Sequence, residues 1–437
     1  MGKPILERLA LHRPELRAWA MYDWANSAFI TVIVTTIWPI FYTGTVNADK
    51  AEGLARHSFV SAAALAVVAV LAPLLGVLAD KAPIKKKLLA AFLFLGLFST
   101  VGLAFVNQGQ WLLGGVLFAL ASIGASASFV FYDSLLPHIA NDEEMDRVSV
   151  AGYAIGYLGG GLLLAALLVL NMKPELVGLS QGSAVKVSFV SVAVWWFVFS
   201  IPLFRTVREP TISTTEANSN RSLLVEAFSG IRDTFTELRR FPNAFLFLLA
   251  FLIYNDGIGT IIKMAASFGI DQGLAKNDLL TAILLVQFVG IPFTFAFGAI
   301  AGKIGTKSAI FAGLVVYCGV SIIGYFIDGF TLFGYEVTTR TLFFVLSGLV
   351  GVVQGGVQAL SRSLFASMIP KDKSSAFFGL FAVFERFAGI FGPLIFGIIV
   401  TQSSSKNAIF AIIGFFVVGG AILAKVDVKA GQAAVKG

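Results

Sequence analysis

The chain has 437 residues, of which 57% are hydrophobic and only 13% charged, with a mean hydropathy of +0.85. A water-soluble protein of this length needs far more polar surface, so the composition points to an all-α, polytopic membrane protein. The formal charge of +7 sits in short connections between apolar runs, which argues against nucleic-acid binding, and a single cysteine, Cys318, excludes a disulfide framework.

In chain order, the first eighteen residues carry Glu7, Arg8, Arg13, Glu15 and Arg17 and no apolar core of signal-peptide type. Leu6, Leu9 and Leu11 fit either a short amphipathic stretch on the membrane surface or a polar tail. Six apolar segments of spanning length follow, at roughly 18–43, 58–80, 87–106, 111–136, 149–170 and 186–204. Six more lie at roughly 243–267, 278–301, 307–327, 341–366, 375–400 and 407–425. The runs are continuously apolar rather than alternating, which argues against a β-barrel.

The first segment carries Tyr22, Asp23 and Asn26 at spacings that form one polar stripe on a helix. A carboxylate at membrane depth is expensive unless it faces a partner or a water-filled cavity. Asp23 follows Arg17 closely enough that a hydrated, interfacial position is the competing reading. Tyr132, Tyr153 and Tyr157 in segments four and five offer apolar bodies with hydroxyl tips, suited to a mixed-polarity pocket or to core packing. Segment five also has Gly152, Gly156, Gly159, Gly160 and Gly161, which allow close helix packing.

The long polar connection at 205–242 divides the chain into an N-terminal bundle (1–204) and a C-terminal bundle (243–437). Its later part places Leu224, Phe228, Ile231, Phe235 and Leu238 at helical spacing, as in an amphipathic helix at the membrane face. Segment seven then opens a second stripe, Tyr254-Asn255-Asp256, followed by Gly257 and Gly259. Those glycines permit either a locally broken helix that contacts a solute or a packing kink. In segment ten Gln354, Gln358 and Arg362 share one face. In segment eleven Glu385 and Arg386 are adjacent and point about 100° apart, so one lines the pathway and the other pairs locally. Lys263 reads as an interfacial, snorkelling lysine.

Twenty-two of the 32 Lys and Arg residues fall in connections on the N-terminal side of the membrane and seven on the other. The positive-inside rule therefore predicts a cytoplasmic N-terminus, C-terminus and central connection.

The halves read as repeats. Gly76-Val-Leu-Ala-Asp80-Lys-Ala-Pro-Ile-Lys85-Lys-Lys87 after segment two matches Gly298-Ala-Ile-Ala-Gly302-Lys303-Ile-Gly-Thr-Lys307 after segment eight. Asp133-Ser-Leu-Leu likewise matches Arg362-Ser-Leu-Phe, placing an acid and a base at equivalent positions, and a gating ion pair between them is expected. The first copy resembles the G-x-x-x-D-(R/K)-x-G-(R/K)-(R/K) loop of the major facilitator superfamily, with Pro83 in place of the usual glycine. In that superfamily the acid, here Asp80, locks the cytoplasmic ends of the halves together. The second copy has Gly302 instead, so the resemblance gives a lock to the first copy only.

A closer likeness comes from Tyr22-Asp-Trp-Ala-Asn-Ser-Ala-Phe29, Gly152-Tyr-Ala-Ile-Gly-Tyr-Leu-Gly-Gly160, Tyr254-Asn-Asp-Gly257, Gln354-Gly-Gly-Val-Gln-Ala-Leu-Ser-Arg-Ser363 and Phe377-Phe-Gly-Leu380. Together they resemble the vacuole-effluxer branch of the superfamily, whose fungal members are autophagy-related vacuolar amino-acid exporters. The resemblance implies twelve spans in two six-helix bundles around a solute site. It also implies secondary transport of small polar solutes, amino acids first.

Carboxylates enclosed by apolar spans can exchange protons near neutral pH, so proton coupling is expected, with Asp23, Asp256 and Glu385 as the candidate carriers. The pathway set is then Tyr22, Asp23, Asn26, Tyr153, Tyr157, Tyr254, Asn255, Asp256, Gln354, Gln358 and Glu385, and the gating set Asp80, Asp133, Arg362 and Arg386. No metal or cofactor is expected, since His12, His57 and His138 lack ligand spacing. No H-E-x-x-H, phosphate-binding loop or nucleophile elbow supports an enzyme. The 42 phenylalanines favour the alternative of an exporter or flippase for amphiphiles, and a transport-inactive receptor is the alternative of another class. The expected setting is a monomer in lipid in a bacterial inner membrane.

Overall fold

A computed structural model of the chain describes residues 5–81, 83–210, 234–332, 335–387, 389 and 391–436. Ten long helices occur in order, beginning with α1 (Pro14–Val46), α2 (Lys50–Lys81), α3 (Lys85–Leu103), α4 (Trp111–Ile139) and α5 (Met145–Met172). They continue with α6 (Gln181–Thr206), α7 (Pro242–Asp271), α8 (Lys276–Ile304), α9 (Thr306–Tyr325) and α10 (Thr339–Ala366). The expected eleventh span over 375–400 is broken into α11 (Ser374–Phe387) and α12 (Phe391–Gln402). After them come α13 (Ser405–Ala424) and a surface helix, α14 (Val428–Lys436). Eleven of the described helices are long and apolar enough to cross a membrane, and α12 is a shorter apolar one. The protein is an all-α, multi-pass membrane protein.

Two local features escape a reading of hydropathy. A hairpin pairs β1 (Phe330–Leu332) with β2 (Tyr335–Val337) between α9 and α10. The expected amphipathic helix falls mostly outside the described residues, since Leu224, Phe228 and Ile231 lie within 211–233, while residues 234–238 are helical.

The first span is not a uniform α-helix either. It widens to π geometry over Phe29–Ile37 and again over Tyr42–Val46. Hydroxyls supply the reason. Thr35 and Thr36 both donate to the Thr31 carbonyl, at 2.6 and 2.7 Å, and Thr31 donates to the Ser27 carbonyl at 2.8 Å. Side-chain donors thus satisfy carbonyls that the regular ladder releases, and Pro39 contributes no N–H of its own.

The chain resolves into two compact units. The first comprises Met1–Asn141, Ile155–Thr234 and Lys371–Leu380; the second comprises Asp142–Ala154, Phe235–Pro370 and Phe381–Gly437. Each unit therefore keeps most of one half and takes in the opening turns of one helix from the other half. In the first unit α1 packs along the later part of α5, and the glycines of α5 make this possible. A methyl group at Gly159 would lie 2.7 Å from the Trp24 ring and from its carbonyl. Trp19, Trp38 and Trp196 fill the core of this unit, while Val187, Val190, Val194 and Val198 line an exposed face of α6, as lipid contact requires. In the second unit Phe381 stacks between Phe251 and Phe365, with ring centroids 4.5 and 5.1 Å away.

Candidate transport site

In the first unit Tyr22, Asp23 and Asn26 are all buried, although each carries a polar group. The Tyr132 hydroxyl of α4 donates to Asp23 Oδ2 at 2.8 Å. Tyr132 is itself fixed from two sides, stacked on Trp19 at 4.4 Å and tilted against Tyr22 at 4.9 Å. Trp19 Nε1 closes the arrangement by donating to the Tyr132 carbonyl at 3.0 Å. Asn26 Nδ2 lies 3.5 Å from Ser128 Oγ, while Asn26 Oδ1 and the Tyr22 hydroxyl have no hydrogen-bond partner. Tyr157 is half-buried on α5 in the same unit.

The second stripe, in the second unit, is held differently. Tyr254 and Ser361 hydroxyls lie 2.6 Å apart, and Gln358 Nε2 donates to Asn255 Oδ1 at 2.7 Å. Asp256 accepts the backbone N–H of Gly392 on Oδ2 at 2.9 Å, while its buried Oδ1 has no hydrogen-bond partner. It thereby caps the N-terminus of α12, where free N–H groups and the helix dipole favour an anion. α12 comes close enough to α7 that a methyl group at Gly392 would lie 1.8 Å from Thr260 Oγ1. Two turns further on, Lys263 Nζ donates to the Gly389 carbonyl at 3.1 Å. Lys263 thus reaches the break itself, a role the snorkelling reading did not include. Gln354 and Glu385 are half-buried in this unit, and the Arg386 side chain lies outside what is described.

Each unit also contains a cluster at the helix ends expected to be cytoplasmic. In the first, Asp80 accepts the backbone N–H of Ser375 at 3.0 Å and of Ala376 at 2.6 Å, and pairs with Lys85 at 3.0 Å. Lys85 is buried and reaches Ser374 Oγ at 2.9 Å and His138 Nε2 at 3.2 Å. Ser374 donates to the Ser134 carbonyl, and Ser375 to Ser134 Oγ. Gly76 makes room for this contact, because a methyl group there would lie 2.3 Å from the Ser375 carbonyl oxygen. The acid expected from the repeat is therefore the cap of α11.

In the second unit Arg362 is buried against the start of α5. It donates from Nε to Ser149 Oγ and from a terminal nitrogen to the Ser149 carbonyl, both at 2.9 Å, with its guanidinium 4.5 Å from the Tyr153 ring centre. Asp133, its repeat counterpart, is half-buried on α4 in the first unit. Asp146, Ser149, Ser363 and Thr306 were absent from the expected sites. Ser363 and Thr306 both donate to the Asp146 carboxylate. The only signal in the sequence is an acid in the first turn of α5, which reads as ordinary helix-end chemistry.

The two halves end alike as well. Lys86 Nζ caps the C-terminal end of α6 through the Phe204 and Val207 carbonyls, and Lys307 Nζ does so for α13 through Ala424 and Val426. Each half thus has a polar stripe on its first long helix and a lysine cap on its last span.

Comparison with solved structures agrees on the fold. The chain superposes on the proton:xylose symporter XylE with a TM-score of 0.70 at 12% identity, covering 94% of this chain and 95% of that one. A bacterial homologue of the iron transporter ferroportin, in an outward-facing state, gives 0.67 at 14% identity over 94% and 99% of the two chains. Residues 55–436 match the family described as "Vacuole effluxer Atg22 like", and the chain belongs to that family. The uncharacterized MFS-type transporter YxiO of Bacillus subtilis is 34% identical over 413 residues, 93% of each chain. Autophagy-related protein 22-1 of Penicillium rubens is 24% identical over 78% of this chain and 69% of its own.

Proposed function

We propose that the protein is a secondary transporter that works by alternating access and carries small polar solutes, amino acids first, with proton coupling. The observation that supports this most is the pair of buried carboxylates, one on the first helix of each half. Asp23 takes a neutral hydroxyl and Asp256 a neutral backbone N–H, and one Asp256 oxygen is left without a hydrogen-bond partner. A carboxylate enclosed among apolar spans can exchange protons near neutral pH. The amino-acid assignment follows from the resemblance of the sequence to the vacuole effluxers. The test uses purified protein in liposomes with an imposed proton gradient. Asp23→Asn or Asp256→Asn keeps the shape but not the charge, so uphill uptake is lost while exchange persists. Undiminished gradient-driven uptake in both variants removes the coupling assignment.

Orientation belongs to the same reading, with both termini inside a bacterial plasma membrane. In a Cys318→Ser background, a cysteine at Asp49 labels from outside intact cells and one at Asn218 does not. Labelling of both overturns the arrangement.

A second reading, transport of amphiphiles, rests on one surface feature of the first unit. A groove of about 790 Å³ runs beside α6, lined by Phe105, Val187, Val190, Val194, Trp195 and Val198. Uptake of a lipid analogue but of no amino acid by the reconstituted protein would favour it.

A further inference from the structure

The repeat gives Asp80 to the first cytoplasmic lock and Gly302 to the matching place in the second copy. Gly302 is exposed, and a methyl group there would meet nothing within 4 Å, so the position itself makes no lock. The rest of the architecture is nevertheless repeated. Gly76 lies against the opening turns of α11, and Gly298 lies against those of α5, where a methyl group would come 3.0 Å from Val150. Ser134 of α4 bonds Ser375 of α11, and its repeat equivalent, Ser363 of α10, bonds Asp146 of α5. The acid missing from the α8–α9 connection is therefore present, on the opposite partner.

We propose that Asp146 is the acid of a second cytoplasmic lock, which holds the start of α5 to α9 and α10 through Thr306 and Ser363. The inference rests on the alternating-access reading and adds a gating residue to it. The two locks differ in chemistry. Asp80 pairs with Lys85 and receives two backbone N–H groups, so it works as a charge at a helix N-terminus. Asp146 receives two hydroxyls and has no salt-bridge cation among the described residues, so it works as a pair of acceptors. Ser149, one turn along, extends the clamp by donating to the Ala359 carbonyl at 2.7 Å and accepting from Arg362. Removing acceptors should open the second lock, whereas removing only the charge should do much less.

The experiment is a distance measurement on the full chain in nanodiscs, with Cys318→Ser and spin labels at Lys87→Cys and Lys303→Cys. Asp146→Ala shifts the distribution toward the inward-open population by at least about five-fold, the lower end of typical couplings between sites. Asp146→Asn, which keeps one acceptor oxygen, shifts it less than Asp146→Ala does. Ser363→Ala with Thr306→Val removes the same bonds from the other side and reproduces Asp146→Ala, so the inference stays testable if that variant does not fold. Asp80→Asn serves as the control for a working first lock. A distribution unmoved by Asp146→Ala and by the Ser363/Thr306 pair overturns the second lock, even if Asp80→Asn still moves it. If no condition moves the distribution, Asp80→Asn included, the alternating-access reading falls with it.

Discussion

The polar stripes of α1 and α7 are alike as sequences, each a tyrosine, an aspartate and an asparagine within five residues, and unlike as structures. Asp23 is met by a side chain, the Tyr132 hydroxyl, and its helix runs on unbroken before widening. Asp256 is met by backbone, at the start of a separate helix. One carboxylate is positioned by aromatic packing, and the other holds a break in place. A repeat can thus conserve a chemical group while assigning it different mechanical duties, because what the group meets comes from other parts of the chain.

The largest effect that would test this contrast comes from Gly392→Ala. The added methyl collides with Thr260 Oγ1, so α12 must move off α7, at a cost of about 3 kcal/mol. The thermal unfolding midpoint falls accordingly, and Thr260→Ala in the same chain recovers part of the loss. An unchanged midpoint in Gly392→Ala would show that the close approach of α12 is not there.

Tyr132→Phe strikes the other stripe. It keeps the ring stacking and removes one donor from a buried carboxylate, for about 2 kcal/mol. If Tyr132→Ala is no more destabilising than Tyr132→Phe, the ring packing contributes nothing and the contrast collapses.

The smallest effect is expected from Asp256→Asn. Asparagine caps a helix N-terminus about as well as aspartate, so stability changes by less than about 0.5 kcal/mol. A loss of several degrees in midpoint would mean that the charge of Asp256, rather than its shape, holds α12.

Much of this architecture was legible in the sequence because it is written locally. Hydropathy marks the spans, and Asp80 stands out as an acid between small residues and a run of lysines. The stripes are visible because three polar side chains within five residues interrupt an apolar run. What was not legible depends on long-range partners. Gly389, Gly392 and Pro393 suggest bending, but the break in the eleventh span is capped from 136 residues away. Ser363 reaches Asp146 across 217 residues, and a hydroxyl–carboxylate bond leaves no periodicity behind. The π geometry of α1 depends on the hydroxyls of Thr31, Thr35 and Thr36, and threonine as a residue type is also compatible with an ordinary apolar helix.

The exchange of helix starts between the two units has a consequence for biogenesis. Lys85 is made 289 residues before the Ser374 it binds, so the N-terminal half enters the membrane with Asp80 and Lys85 lacking their partners on α11. Until the ribosome has passed α10, the first unit lacks the segment Lys371–Leu380. The end of that unit that carries Asp80 and Lys85 is open to water, chaperones or proteases for that whole interval. Nascent chains stalled before α11 should therefore be cut by protease near Asp80 and Lys85, and chains stalled after α11 should be protected there.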